Sequence, residues 1–118
     1  MIAAITVPAS AAAKRSHYLK VRDRASFEFA VVSAAVALDM DNGRIRAARV
    51  ALGGVGSKPW RMPKVEAALV GAGLDPSALR AAAALAAEGA IPHGHNAFKI
   101  ELMQRAIVRA IETAGARA

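Results

Sequence analysis

From Val32 the chain alternates between Val32, Ala34, Val36, Leu38 and Met40 on one side and Ser33, Ala35, Ala37 and Asp39 on the other. This is the period of two expected of a half-buried strand. Asp41-Asn42-Gly43 follows as a hairpin signal, and Ile45 to Val55 returns as a second strand. Parity selects the turn, because a shift of one residue exchanges the two faces. A two-residue Asn-Gly turn would set Val36 against Arg49 on the apolar face. A three-residue loop with Gly43 left-handed sets Val32 against Leu52, Ala34 against Val50 and Val36 against Ala48, and this is the expectation. The opposite face then holds Ser33, Ala35, Ala37, Ala47, Arg49 and Ala51, small enough to pack closely or to meet another subunit.

Upstream, the β-branched run Ile2 to Val7, closed by Pro8, predicts a strand that ends at the proline, and Ala9 to Ser16 reads as a linker of small residues. That strand has no evident partner, so the expectation is a chain that begins inside a larger parent protein, with residues 1–15 set apart from a domain over 16–118. Beyond the hairpin, Lys58-Pro59-Trp60-Arg61-Met62-Pro63 is held extended by two prolines as an edge strand or link. Pro63 starts a short helix over Val65 to Val70, which Gly71 and Gly73 stop. Asp75 caps a second, with Pro76 at its first position and Ser77 to Glu88 helical as far as Gly89. Asn96 is the expected cap of a last helix of about five turns, on which Ile100, Met103, Ile107, Ala110 and Ile111 recur at helical spacing. A hairpin followed by helices predicts an α+β fold, a small antiparallel sheet of about three strands with helices on one face.

The 118 residues suffice for one core. The composition is 55% hydrophobic and only 4% aromatic, with alanine supplying nearly half of the apolar positions, so the core must form by close backbone approach around a few Val, Leu, Ile and Phe side chains. No apolar run nears the roughly 20 residues of a membrane-spanning helix. The absence of cysteine excludes disulfides and thiolate metal sites. No basic residue precedes Ile2, which argues against an export signal. Sixteen Lys+Arg against nine Asp+Glu leave a formal charge of +7. The cations come in scattered twos and threes with few aromatics to stack bases, a poor nucleic-acid footprint.

Local chemistry is sparse. Gly53-Gly54-Val55-Gly56-Ser57-Lys58 lacks the Gly-Lys-Ser/Thr and following helix of a phosphate loop, and its glycines are better explained by a bending strand end or a close backbone approach. His93 and His95 have no third ligand at a useful spacing. Ser16 and His17 are adjacent in sequence and lack an orienting acid. Asp23 and Glu28, beside Arg22 and Arg24, read as ion-paired carboxylates unsuited to donate protons. No catalytic residue is assigned.

Three segments taken in order carry more. Tyr18-Leu-Lys-Val-Arg-Asp-Arg24, Leu52-Gly-Gly-Val55 and Lys58-Pro-Trp-Arg61, with Asn96-Ala-Phe-Lys-Ile-Glu-Leu102 near the end, resemble the C-terminal domain of the FAD-binding subunit of molybdenum hydroxylases, the xanthine dehydrogenase, aldehyde oxidoreductase and carbon monoxide dehydrogenase flavoproteins. The resemblance covers nearly the whole chain. It implies the C-terminal fold of those flavoproteins, and it makes residues 2 to 8 the last strand of the preceding flavin domain. It also implies a flavin that passes electrons from iron–sulfur clusters to an acceptor. The molybdenum cofactor and the clusters lie in partner subunits, a molybdenum-binding one and an iron–sulfur one. The glycine-rich FAD pyrophosphate loops belong to the family's earlier domains, so FAD is shared with an FAD-binding domain of the same parent subunit. Within this chain the resemblance points to Lys20, whose ammonium would meet a flavin carbonyl or the charge on reduced N1. Tyr18 is its neighbour, set against the ring or, more commonly for a tyrosine, in the core. The readings that compete with it are a solvated loop lysine at Lys20, a noncatalytic interaction or dimerisation module, and a small basic nucleic-acid binder. The expected location is the cytoplasm, or the periplasm if exported with a partner.

Overall fold

The computed structural model describes residues 1–116. Four strands make one antiparallel sheet in chain order: β1 (Ser16–Val21), β2 (Val32–Asp41), β3 (Arg44–Gly53) and β4 (Trp60–Arg61). Three helices follow, α1 (Pro63–Leu69), α2 (Pro76–Ala84) and α3 (Phe98–Gly115), and all pack on one face. Short 3-10 segments occupy Ala11–Arg15 and Leu85–Ala87. The expected α+β layer is present with four strands, the addition being β1.

The apolar face lies where the period of two places it, with Val32, Ala34, Val36 and Leu38 of β2 and Ile45, Ala48, Val50 and Leu52 of β3 all buried. The pairs differ from expectation: Ala34 faces Leu52, Val36 faces Val50 and Leu38 faces Ala48. Asn42 and Gly43 both take positive φ, +47° and +76°, so the turn has two residues, and the register shifts between Asp39 and Met40. Asp39 pairs with Ala47 and Met40 with Ile45, which leaves Arg46 as the extra residue of a β-bulge. Parity is preserved by a residue inserted in the strand instead of the loop.

Alanine lets the helices close up. Ala82 and Ala83 of α2 and Ala106, Ala110 and Ala114 of α3 are buried beside Leu79, Met103, Ile107 and Ile111. Each fully buried large side chain stabilises the layer by roughly 1.5–3 kcal/mol. Asp75 caps α2 by accepting from the Ser77 and Ala78 amides and the Ser77 hydroxyl, with Pro76 at the first position. The Ser77 hydroxyl, followed by the amides, holds the carboxyl below its usual range. Asp75→Ala is therefore expected to lower the thermal midpoint by a few degrees at pH 7, an effect that fades once both proteins are scanned in acid.

Two expectations are corrected. Ile2 to Val7 form no strand and stand exposed, since a β-branched run without a neighbour to pair with gains nothing from extension. Asn96 does not cap α3; its Oδ1 accepts from the His93 amide at 2.7 Å and closes the preceding turn, and α3 begins after Ala97.

The outer edge of β3 is sealed piece by piece. Near the hairpin the Ile45 amide donates to the Ala72 carbonyl, and the Gly71 amide to that of Ile45. At the centre the Met62 amide donates to the Val50 carbonyl at 3.0 Å, while the Val50 amide donates to Oε1 of Glu66 at 2.8 Å. Beyond it β4 pairs with Ala51 and Leu52. Glu66, only 8% exposed, also receives Arg61 through both carboxylate oxygens at 2.8 Å each. Burial pushes its carboxyl up, but Arg61, the Val50 amide and the nearby Arg49 outweigh burial and the net shift is downward.

Candidate functional site

β1 turns Leu19 and Val21 toward the core, which puts Tyr18 and Lys20 on the face of the sheet without helices. There Tyr18 lies opposite Ala35 and Lys20 opposite Ser33. Tyr18 is 60% exposed, so it does not fill the core. Lys20 is a partly buried strand residue, one position before the end of β1, and the loop-lysine reading is set aside. The two residues singled out from the sequence thus stand together at one end of one face.

The loop that continues from Lys20 is held by its own contacts. The Val31 amide donates to the Val21 carbonyl at 2.9 Å and closes its base. Arg24 donates through Nη2 to the Phe27 carbonyl at 2.5 Å and pairs through Nε with Glu28 at 3.1 Å, so Glu28 is ion-paired as expected. Phe27 takes φ +48°, a conformation a bulky residue adopts only under constraint, and Phe27 and Phe29 are 96% and 94% exposed. These aromatics were not found from the sequence. The signal available was a pair of phenylalanines flanking Glu28 in a charged connection between strands, where a core position is hard to supply.

The β3–β4 turn braces this loop from behind. Gly54 takes φ +74°, and a Cβ there would come within 2.8 Å of the Val31 carbonyl oxygen and 2.9 Å of that of Ala30. The glycine serves close backbone approach, as its sequence suggested. On its other side the Gly54 carbonyl accepts from Lys99 Nζ of α3 at 2.9 Å. Beside it opens a cleft of about 460 Å³ bounded by Trp60, His93, Asn96, Lys99 and Met103. Trp60 is partly buried on the core side of β4, opposite Leu52, where it seats the sheet edge. Among the described residues no three His, Cys, Asp or Glu side chains group as metal ligands, and no helix is long and apolar enough to cross a membrane.

Residues 17–114, which take in almost all of the sheet and its three helices, match the model of the CO dehydrogenase flavoprotein C-terminal domain; the chain belongs to that family. Among curated proteins it is 40% identical, over all 118 residues, to the aldehyde oxidoreductase FAD-binding subunit PaoB of Escherichia coli (strain K12), of which it covers 34%. Among solved structures it resembles quinoline 2-oxidoreductase from Pseudomonas putida 86, with 32% identity and TM-score 0.78, covering 86% of this chain and 36% of that one. It likewise resembles reconstituted CO dehydrogenase from Oligotropha carboxidovorans, with 31% identity and TM-score 0.79, covering 87% and 37%. The chain thus spans about a third of the length of these relatives.

Proposed function

We propose that this domain closes the flavin site of the FAD-binding subunit of a molybdenum hydroxylase of the xanthine dehydrogenase or aldehyde oxidoreductase type. The flavin, when bound, accepts electrons from iron–sulfur clusters of a partner subunit and hands them to an acceptor. Substrate oxidation belongs to a molybdenum-binding subunit. Residues 1–15 then belong with the neighbouring flavin domain and 16–118 with this one, and the cytoplasm is the location that goes with this reading.

One observation carries the reading: the constrained and exposed Phe27 ring stands in the connection that starts beside Lys20, at the end of the sheet braced by Gly54. An aromatic face and an ammonium fit one side of a planar, hydrogen-bonding ring system whose reduced form is anionic. The same residues do not fit a diphosphate, because the glycine-rich turn spends its freedom on the Ala30 and Val31 carbonyls. Lys20 orients the ring and offsets its charge, Phe27 excludes water from its face, and the nucleotide tail is held by protein outside this domain. Tyr18, two residues back along β1, borders the same face.

The test is a chimera in which this chain replaces the aligned region of the E. coli subunit. The chimera is expected to retain FAD, seen in its flavin absorbance after gel filtration. Lys20→Ala and Phe27→Ser should each lower flavin retention at least tenfold and shift the absorption bands. Unchanged retention and bands in both variants would defeat the assignment.

A further inference from the structure

The face of the sheet opposite the helices has a composition that exposure to water does not explain. An antiparallel sheet with one wet face normally carries polar or β-branched residues there, and alanine is a poor strand former. Here the floor is Ala35, Ala37, Ala47 and Ala51, with Ala35 lying between Tyr18 and Ala51 across the strands. A shallow groove of about 620 Å³ runs over it, bordered by Tyr18, Arg49 and Arg61. Side chains that stop at Cβ leave room for a second layer of backbone at the roughly 10 Å spacing of packed elements.

Charge says what that layer carries. Asp39 and, by alternation, Asp41 lie on this face near Arg46, which bonds Asp39 at 2.5 Å, while Glu66 of α1, at the edge of β3, is held by Arg61 at 2.8 Å. Lys20 and Arg49 form no salt bridge among the described residues; Arg49 is near enough to help lower the Glu66 carboxyl but its hydrogen bond goes to the neighbouring Ala48 carbonyl. The face therefore has an unmatched positive charge, within a chain of formal charge +7. A second copy of this chain is a poor occupant, because a two-fold contact would bring the same cations together.

We propose that the alanine floor is the seat of an acidic, small-residue polypeptide element from the flavin-binding remainder of the same subunit, with its carboxylates meeting Arg49. This rests on the flavoprotein reading above. It adds that the alanine part of the helix-free face is covered by protein, and that charge complementarity sets the register of the two parts.

The cysteine-free sequence permits a direct test. Ala35→Cys, Ala51→Cys and, as a control on exposed α3, Glu101→Cys are each placed in the isolated chain and in the E. coli chimera. Maleimide labelling is then followed peptide by peptide in a mass spectrometer. The first two sites are expected to label at least tenfold more slowly in the chimera, and the Glu101→Cys site equally in both. Adding Arg49→Glu to the chimera should restore most of the labelling at Ala35→Cys. Equal labelling of the floor in both proteins overturns the proposal. So does protection in the isolated chain that tracks a dimer in sedimentation, or protection that requires an added single-stranded oligonucleotide. Floor protection in a chimera whose flavin is indifferent to Lys20→Ala and Phe27→Ser would keep this seat and remove the flavin assignment. The reverse pattern would keep the flavin assignment and remove the seat.

Discussion

Glu66→Ala lowers the unfolding free energy by about 3 kcal/mol at pH 7, the expected result for a buried acceptor removed from beneath a strand amide. Val50 loses its partner on a side of β3 that water does not reach, which accounts for most of the loss. Arg61, largely in solvent, loses an ion pair that contributes little by itself. Glu66→Gln retains an acceptor for Val50 and is expected to cost about 1 kcal/mol, so the pair of variants separates the amide from the charge. The sign of the pH dependence follows from the lowered carboxyl. Stabilisation from ionised Glu66 is complete above the ordinary carboxylate range and is lost as pH falls through the lower folded value, because the unfolded chain takes up the proton first. Urea midpoints for wild type and Glu66→Gln, measured from pH 7 down to pH 3, should converge at the acid end; a constant gap would mean that the charge plays no part.

Gly54→Ala carries a comparable cost by a different route. A left-handed conformation costs an L-residue roughly 1–2 kcal/mol, and the added methyl meets two backbone carbonyls that cannot swing away, so a total of about 3 kcal/mol is expected. Gly43→Ala is the control. It has φ +76° and open space around the missing Cβ, so only the conformational part applies, about 1 kcal/mol. Equilibrium unfolding compares the two. Limited trypsin digestion at Arg22 and Arg24 adds what stability alone does not report, since pushing Ala30 and Val31 away loosens the loop that holds Phe27. Equal costs and equal digestion rates for the two alanine variants would show that the close approach at Gly54 is not under tension.

What could be read in advance follows the reach of each interaction. The capped start of α2, the apolar stripe of α3 and the apolar face of the hairpin are set by residues within a turn or a strand of one another, and they are legible. The bulge at Arg46 is not, because loop and strand insertions give the same parity and only the twist of the paired strands distinguishes them. β1 was missed because its inward set is His17, Leu19 and Val21, three residues with one polar among them, and its pairing partner lies beyond a long connection. The opposite error at Ile2 to Val7 has the same origin: β propensity proposes a strand and a neighbour completes it. At the site, Lys20 and Tyr18 came from motif likeness, whereas Phe27 emerged only when the fold denied it a place inside.

Trp60 is the sole indole in the chain, and it stands at the cleft that Gly54 and Lys99 border. Its emission therefore reports on a single locality. Energy transfer to a nearby isoalloxazine, or a wavelength change as water leaves the cleft, would register arrival of the rest of the subunit in real time and without a label.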